Sequence, residues 1–202
     1  MDAPRLLSPR GRKGAFVFDG IIAYLDSIKA RDPAPRTRWE ILTYPGVWAL
    51  GFHRAAHWLF EADLYFLARL VNHMSRFLTA IDIHPGADIG ESFFIDHGTG
   101  VVIGETAVIG RRVRLYQAVT LGAKRFPVGA DGSLEKGLAR HPIVEDDVVV
   151  YAGATLLGRI TIGRGSSIGG NVWLTHSVPP GSQVTQASTR QQAPASGEPV
   201  DD

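Results

Sequence analysis

The chain has 202 residues, a formal net charge of +1 and no cysteine. The lack of cysteine excludes disulfides, thiolate metal sites and a cysteine nucleophile, and it fits a reducing compartment such as the cytoplasm. The near-neutral charge predicts no general attraction to nucleic acid or to an anionic membrane. The most apolar stretch, residues 46–60, is interrupted by His53, Arg54 and His57, so we expect neither a signal peptide nor a membrane span.

The first part of the chain predicts a disordered start followed by helices. Residues 1–14 are rich in Pro, Arg, Lys and Ser without any periodicity, which is typical of a disordered terminus. Apolar residues then follow a helical period, so residues 15–80 are predicted to form a helical N-terminal domain of three to four helices. Pro33 and Pro35 end the first helix, and Pro45 marks a later helix start, because proline is tolerated only in the first turn.

After residue 80 the period of the apolar residues changes to six. Small or apolar residues, among them Ala87, Thr99 and Val148, lie four positions after the large aliphatic residues of this repeat. A period of six fits one short strand and one tight corner per repeat, with three repeats to a coil, whereas β-sandwich strands recur every 8–12 residues. We therefore predict a parallel β-helix over residues 81–184. The large aliphatic residues predicted to point inward are Ile83, Ile89, Ile95, Ile103, Ile109, Leu115, Leu121, Val144, Val150, Leu156, Ile162, Ile168 and Leu174.

Two irregularities interrupt the repeat. Two extra residues follow Ile95, next to Asp96 and His97, and residues 124–142 form a long loop without the pattern. A loop of this length inside a compact array is usually functional or disordered, and its return at Arg140 and His141 argues for function. The polar tail, residues 185–202, is predicted to be disordered.

Histidines are the main candidates for chemistry. His53 and His57 share a helix face and could hold a metal, but packing is the more common role of such a pair, and no third ligand lies at a recognisable spacing. In a coil of about 18 residues, Asp82 and His97 can lie near the same edge in adjacent layers. A carboxylate bonded to one imidazole nitrogen would leave the other nitrogen as a general base. The alternative, in which Asp96 and His97 only cap a kinked corner, stays open.

Six strings carry a resemblance to a known family. Two lie upstream of the repeats: RDPA at residues 31–34 and HRAAHWL at residues 53–59. The others are DIHPGADIG at residues 82–90, IDHGTGVVIGETAVIG at residues 95–110, RHP at residues 140–142 and YAGATLLGRITIGRGSSIGG at residues 151–170. They closely resemble the bacterial serine O-acetyltransferases, within the hexapeptide-repeat acyltransferases. The resemblance implies a left-handed parallel β-helix of hexapeptide repeats with an N-terminal α-helical domain. It also implies a homotrimer, with active sites between neighbouring subunits.

The implied activity is acetyl transfer from acetyl-CoA to the hydroxyl of L-serine. The products are O-acetyl-L-serine and CoA, in the first step of cysteine biosynthesis from serine. By motif, His97 resembles the general base, Asp82 its orienting partner, and His141 a residue that binds substrate or steadies the tetrahedral intermediate. No metal is expected, since the thioester already has a good leaving group.

The resemblance also implies the groups that bind the two substrates. Asp32 and Asp96 would hold the serine ammonium, and Arg140 its carboxylate, which matches the charges of an amino acid. Acetyl-CoA would lie along a groove between adjacent β-helices, against main-chain amides, with Lys124 or Arg125 near its phosphates. The residues predicted to bind this co-substrate are Gly122, Ala123, Lys124, Gly153, Ala154, Gly169 and Gly170.

Three departures from the family pattern qualify what the resemblance implies. The helical domain is short, which favours a bare trimer over the dimer of trimers that longer members form. The loop before Arg140 is longer than the family's glycine-rich link. The chain ends in Asp202 rather than isoleucine, so we do not expect the usual complex with O-acetylserine sulfhydrylase.

Three other functions are weighed against this one. The same scaffold could acetylate another small hydroxyl acceptor, such as homoserine or a sugar. A metal-dependent lyase like the γ-class carbonic anhydrases needs three histidines converging on zinc, two of them close in sequence, and the repeats lack such a pair. A non-catalytic β-helix would have no need for Asp96 and His97 at an irregular corner.

Overall fold

The computed structural model describes residues 16–125 and 138–187. The segment predicted to be disordered at residues 1–14 lies outside the described residues. The same holds for residues 126–137 of the predicted loop and residues 188–202 of the predicted tail.

From residue 16 onward, where the structure describes the chain, the N-terminal region contains four helices. The first ends before Pro33 and Pro35 as predicted, and the third begins at Pro45, whose missing N–H is not needed in a first turn. None of the helices in the described residues combines the length and the apolar character that crossing a bilayer requires. The helices are α1 (Phe16–Lys29), α2 (Arg38–Ile41), α3 (Pro45–Glu61) and α4 (Tyr65–Thr79).

Short parallel strands follow and form three sheets. Sheet A has the order β1-β4-β7-β10-β13, sheet B β11-β8-β5-β2, and sheet C β14-β12-β9-β6-β3. The chain visits sheets A, B and C in turn, so each coil stacks on the previous one as a triangular prism. The strands are β1 (Asp82–Ile83), β2 (Asp88–Ile89), β3 (Phe94–Ile95), β4 (Val102–Ile103), β5 (Val108–Ile109), β6 (Arg114–Leu115), β7 (Thr120–Gly122), β8 (Ile143–Val144), β9 (Val149–Val150), β10 (Thr155–Leu157), β11 (Thr161–Ile162), β12 (Ser167–Ile168), β13 (Trp173–Leu174) and β14 (Gln183–Val184).

The core confirms the predicted six-residue period. All thirteen aliphatic residues predicted to point inward are buried, and those of each sheet form a ladder, such as Ile103 paired with Leu121. Each of these side chains contributes about 1.5–3 kcal/mol by leaving water. Thr99, four positions after Ile95, is exposed, while Val101 is fully buried. The two extra residues after Ile95 widen the corner and carry the inward position two residues further along the chain.

The three edges of the prism differ in backbone conformation. At the edge between sheets B and C, one residue per coil has a positive φ: Ser92, Arg112, Asp147, Gly165 and Gly181. The edge between sheets C and A has a similar column, with Ala118, Gly153 and Asn171. Among the described residues of the edge between sheets A and B, only Gly158 has a positive φ. Tight left-handed corners therefore shape two edges, and the A–B edge turns mostly without them.

The helical region lies against the first coil. Gly46 of α3 approaches β3 so closely that a Cβ atom there would overlap the Ile95 carbonyl oxygen. Asn72 of α4 is buried and donates to the Ile83 carbonyl at 2.9 Å. Arg31 follows α1 and donates to the Ser92 carbonyl at 2.6 Å, on the β-helix. The first two contacts hold α3 and α4 against the first coil, and the Arg31 bond holds the segment that leads into Asp32.

Candidate active site

The widened corner at the C–A edge presents His97. His97 has a φ of 58° and is exposed, and the Gly98 amide donates to the Asp96 carbonyl at 2.7 Å. The Gly100 amide donates to the Ala80 carbonyl at 2.9 Å, which fastens the corner to the end of α4. A Cβ atom at Gly98 would lie 2.5 Å from the Ile81 side chain, so this residue must be small. The extra residues thus raise the His97 imidazole out of the regular coil into solvent.

An acid pair lies beside this corner. Asp32 is buried and accepts from the Tyr44 hydroxyl at 3.0 Å and from the Ala34 amide at 3.0 Å. Asp96 accepts from Arg114 Nη2 at 2.8 Å. Burial, and then the two carboxylates, raise the pKa of Tyr44 to about 12. Tyr44 therefore stays a neutral hydrogen-bond donor between two carboxylates that come from the helical region and from the β-helix.

A second polar group lies at the A–B edge. Arg140 Nη2 donates to Glu105 Oε2 at 3.1 Å. The Thr106 hydroxyl accepts from the main-chain amides of Arg140 at 2.9 Å and of His141 at 3.1 Å. Arg159 Nη1 in turn donates to the carbonyls of Thr106 at 2.7 Å and of His141 at 3.0 Å. The chain is therefore firmly held where it re-enters the β-helix after residues 126–137.

The environment of His141 fixes its tautomer. The Thr106 amide donates to His141 Nδ1 at 3.1 Å. Because an amide can only donate, Nδ1 carries no proton and the ring proton of the neutral form lies on Nε2. Burial, helped by the Arg140 guanidinium, lowers the pKa of His141 to about 4. His141 is thus a neutral ring that donates through Nε2–H near pH 7.

Asp82 has partners other than His97 in the single chain. Its carboxylate accepts from Asn72 Nδ2 at 3.2 Å and from Arg76 Nη1 at 3.3 Å. Within the described residues, no hydrogen bond joins Asp82 to His97. The two residues are close along the stack, since the Asp82 amide donates to the Val101 carbonyl at the far end of the widened corner. The predicted pairing of Asp82 with His97 stays a prediction.

The predicted site residues divide between two edges of the prism. Asp96 and His97 lie at the C–A edge, and the segment of Asp32 is bonded to Arg114 of sheet C. Arg140 and His141 lie at the A–B edge, so sheet A separates the two groups. The predicted acetyl-CoA residues divide in the same way. Gly122, Ala123 and Lys124 lead into the A–B edge, whereas Gly153, Ala154, Gly169 and Gly170 belong to successive corners of the C–A edge.

Several predicted acetyl-CoA contacts have their amides occupied by the coil. The Gly153 amide donates to the Gln117 carbonyl at 3.0 Å, and the Gly169 amide donates to the Val184 carbonyl at 2.8 Å. The Ala154 amide donates to the Tyr151 carbonyl at 3.3 Å. Contacts from these corners would therefore use other groups, such as the amide of the exposed Gly170.

His53 and His57 form a packed pair against the first coil. Their rings stack with centroids 5.6 Å apart, and His57 Nδ1 donates to the Pro85 carbonyl at 2.8 Å. Burial, and then the neighbouring His57 and Arg54, lower the pKa of His53 to about 3. No group of three or more His, Asp or Glu side chains in residues 16–125 and 138–187 is arranged to hold a metal ion.

This burial predicts a loss of stability in acid. An unfolded histidine has a pKa near 6.5, so between pH 6.5 and about 3 the unfolded chain binds the proton that folded His53 excludes. The free energy of unfolding should fall as pH drops through this window, by about 2 kcal/mol from His53 alone at pH 5. We expect His53→Gln to reduce the change between pH 7 and pH 5 in urea denaturation. His176→Gln, at an exposed histidine, should leave that change as it is in the wild type.

Sequence reasoning missed four residues of the site: Tyr44, Gly104, Thr106 and Arg114. Gly104 is needed because a Cβ atom there would overlap the His141 ring. Gly104 directly follows Ile103, as a glycine follows five other core aliphatics, but this pattern does not give the reason for the glycine. Thr106 and Arg114 occupy outward positions of the repeat, where the six-residue period places no constraint on the side chain.

Known proteins resemble this chain over most of its length. A serine acetyltransferase (plasmid) of Synechococcus elongatus is 65% identical over 167 residues, which make up 82% of this chain and 52% of that protein. The serine acetyltransferase of Bacillus subtilis is 50% identical over 161 residues, 79% of this chain and 70% of that protein. The chain thus spans about half the length of the Synechococcus relative. No family model matches the chain.

A solved structure shares the fold. Soybean serine acetyltransferase complexed with serine is 38% identical and has a TM-score of 0.72, with 82% of this chain and 65% of that chain covered. The predicted fold class, a left-handed parallel β-helix of hexapeptide repeats with an N-terminal α-helical domain, is confirmed by this match. From these similarities in sequence and fold, the chain belongs to the serine acetyltransferase family of hexapeptide-repeat acyltransferases.

Proposed function

We propose that this protein transfers the acetyl group of acetyl-CoA to the hydroxyl of L-serine, giving O-acetyl-L-serine and CoA. The reaction is the first step of cysteine biosynthesis from serine. One observation carries the proposal: an acid pair, Asp32 and Asp96, lies on one side of sheet A, and a cation, Arg140, lies at its other edge beside the neutral His141. An amino acid presents an ammonium and a carboxylate, and these two groups match its charges. The family's relatives are named for serine, and the soybean structure contains it.

The chemistry needs a base and a donor to the developing oxyanion. His97 accepts the proton of the serine hydroxyl, with Asp82 orienting its ring, as the serine oxygen attacks the thioester carbonyl. The carbon–sulfur bond of the tetrahedral intermediate then breaks, and the CoA thiolate takes the proton from His97. His141 suits the role of oxyanion donor, because its Nε2–H is fixed and neutral.

The division of the site between two edges favours a homotrimer. In a trimer of parallel prisms, the C–A edge of one subunit can face the A–B edge of its neighbour. The acid pair and His97 would then meet the neighbour's Arg140 and His141, and acetyl-CoA would lie along the groove between the two subunits. A dimer of trimers is the alternative, and the mass in solution distinguishes the two states.

We place the enzyme in the cytoplasm, with no nucleic-acid or membrane partner.

An acceptor comparison tests the proposal. Purified protein should release CoA from acetyl-CoA when L-serine is present and should release almost none without an acceptor. At equal concentrations, L-serine should give a larger kcat/KM than L-homoserine or a sugar. CoA release that does not depend on L-serine, or a clear preference for the sugar, would contradict the proposed function.

A further inference from the structure

Arg114 is a largely buried cation next to the acid pair. Its side chain, on β6, is 17% exposed, and the Asp96 side chain with which it pairs is 16% exposed. The guanidinium carbon lies 5.0 Å from the ring centre of Phe94 and 4.9 Å from that of Tyr116. Two aromatic rings thus hold the guanidinium, which leaves Arg114 little freedom to swing away from Asp96.

Arg114 also connects the two segments that carry the acids. Its Nη1 donates to the main-chain carbonyl of Arg31 at 3.0 Å, and Arg31 directly precedes Asp32. The Arg31 side chain in turn donates from Nη1 to the main-chain carbonyl of Arg112, two residues before Arg114, at 3.1 Å. These two bonds therefore fix the segment of Asp32, which comes from the helical region, against β6, whose neighbour β3 leads into Asp96.

One group of Arg114 is costly to the folded chain. Nε of Arg114 is buried and has no hydrogen-bond partner among the described residues. A buried N–H group without a partner is costly to the folded state, and such a group calls for an explanation. A binding site that requires a cation at this position explains why the chain keeps Arg114 there.

The charge of Arg114 matters for the ligand of the acid pair. Asp32 and Asp96 alone would present two negative charges to a substrate ammonium that carries one positive charge. Arg114 takes one oxygen of Asp96 and leaves Oδ1 of that carboxylate with no hydrogen bond among the described residues. The acid pair and Arg114 together carry one net negative charge, which matches a single ammonium.

We propose that Arg114 is a positioning residue that holds Asp96 against Asp32 and so makes the site selective for acceptors with an ammonium group. The inference rests on the proposed function, since it concerns the same acceptor site. Arg114 acts through Asp96 and takes no part in the bond changes. Its loss should weaken L-serine binding without slowing the transfer step.

The test compares two acceptors in three variants. L-serine and 3-hydroxypropanoate share the hydroxyl and carboxylate, and only L-serine has the ammonium. In Arg114→Met, we expect KM for L-serine to rise about tenfold while kcat and KM for acetyl-CoA change less than about threefold. The kcat/KM for 3-hydroxypropanoate should change less than about twofold.

Arg114→Lys keeps the cation and should restore part of the preference for L-serine. Arg112→Met is the matched control, because Arg112 forms an exposed pair with Asp147.

The outcomes separate the two proposals. If the wild-type protein shows no serine-dependent release of CoA, this result overturns the proposed function and this inference with it. An active wild type with unchanged L-serine kinetics in Arg114→Met overturns the inference alone. An equal loss for both acceptors, with a lowered melting temperature, would make Arg114 a structural residue and also overturn it. If Arg114→Met does not fold, Arg114→Lys gives the readout, because an ammonium on a flexible stem cannot reach both Asp96 and the Arg31 carbonyl in the same way.

Discussion

Replacement of His97 by alanine should lower kcat by about 10²–10⁴-fold, the usual contribution of a positioned general base. A serine hydroxyl is a weak nucleophile at neutral pH, and the protein offers His97 at an exposed corner that departs from the regular coil. The KM for acetyl-CoA should stay within about threefold of the wild-type value, because His97 is not predicted to bind the co-substrate. Steady-state kinetics with both substrates measure these changes.

His176→Ala is the matched control for this variant. His176 is also an exposed histidine of the β-helix, and it lies outside both groups of site residues. Its replacement should leave kcat unchanged. A loss of less than about tenfold in His97→Ala would contradict the role of His97 as a general base. The alternative role, a cap on a kinked corner, would instead lower the melting temperature and leave most of the turnover.

Replacement of Gly104 by alanine should lower kcat/KM by about 10²–10³-fold, as expected for the loss of one donor to the oxyanion. The added methyl group would overlap the His141 ring, so the ring must leave its place against Thr106. The side chain can swing away without unfolding the coil, and for this reason the effect should fall on activity more than on stability.

A double-mutant cycle isolates the cause of this effect. In His141→Ala the ring is absent, so adding Gly104→Ala should change kcat/KM by less than about twofold. Gly51→Ala serves as the control for the added methyl group, because a Cβ atom at Gly51 meets nothing within 4 Å. If Gly104→Ala costs as much with alanine at position 141 as with histidine, the glycine acts through the backbone and not through His141.

The sequence predicted the parts of the fold that a repeating inward pattern determines. The six-residue spacing identified Ile83, Leu121, Leu156 and the other core aliphatics, because each coil must bury one such residue per sheet. The spacing did not show which residue after Ile95 is buried, since a periodic pattern does not show how an inserted pair of residues is accommodated. The chain places those two residues in the corner, which moves the buried position to Val101.

The site was only partly predictable for a related reason. Motifs pointed to Asp96, His97, Arg140 and His141, whereas contacts between distant segments decide what these residues can do. Arg114 meets the Arg31 carbonyl across 83 residues of chain, and no local pattern records such a contact. The fifteen-residue spacing placed Asp82 near His97 along the stack, but it could not reveal that Asn72 and Arg76 of α4 bind the Asp82 carboxylate.

The backbone conformations of the three edges have a consequence for how this scaffold can be modified. An edge built from a column of left-handed residues, such as Ser92, Arg112 and Asp147, restricts both the residue type and the length of every turn. The A–B edge is mostly free of that restriction, and there the chain departs from the coil after Lys124 and returns at Arg140. A grafted peptide should therefore be tolerated better at the turn of residues 175–177, where His176 and Ser177 are exposed, than along the opposite corners.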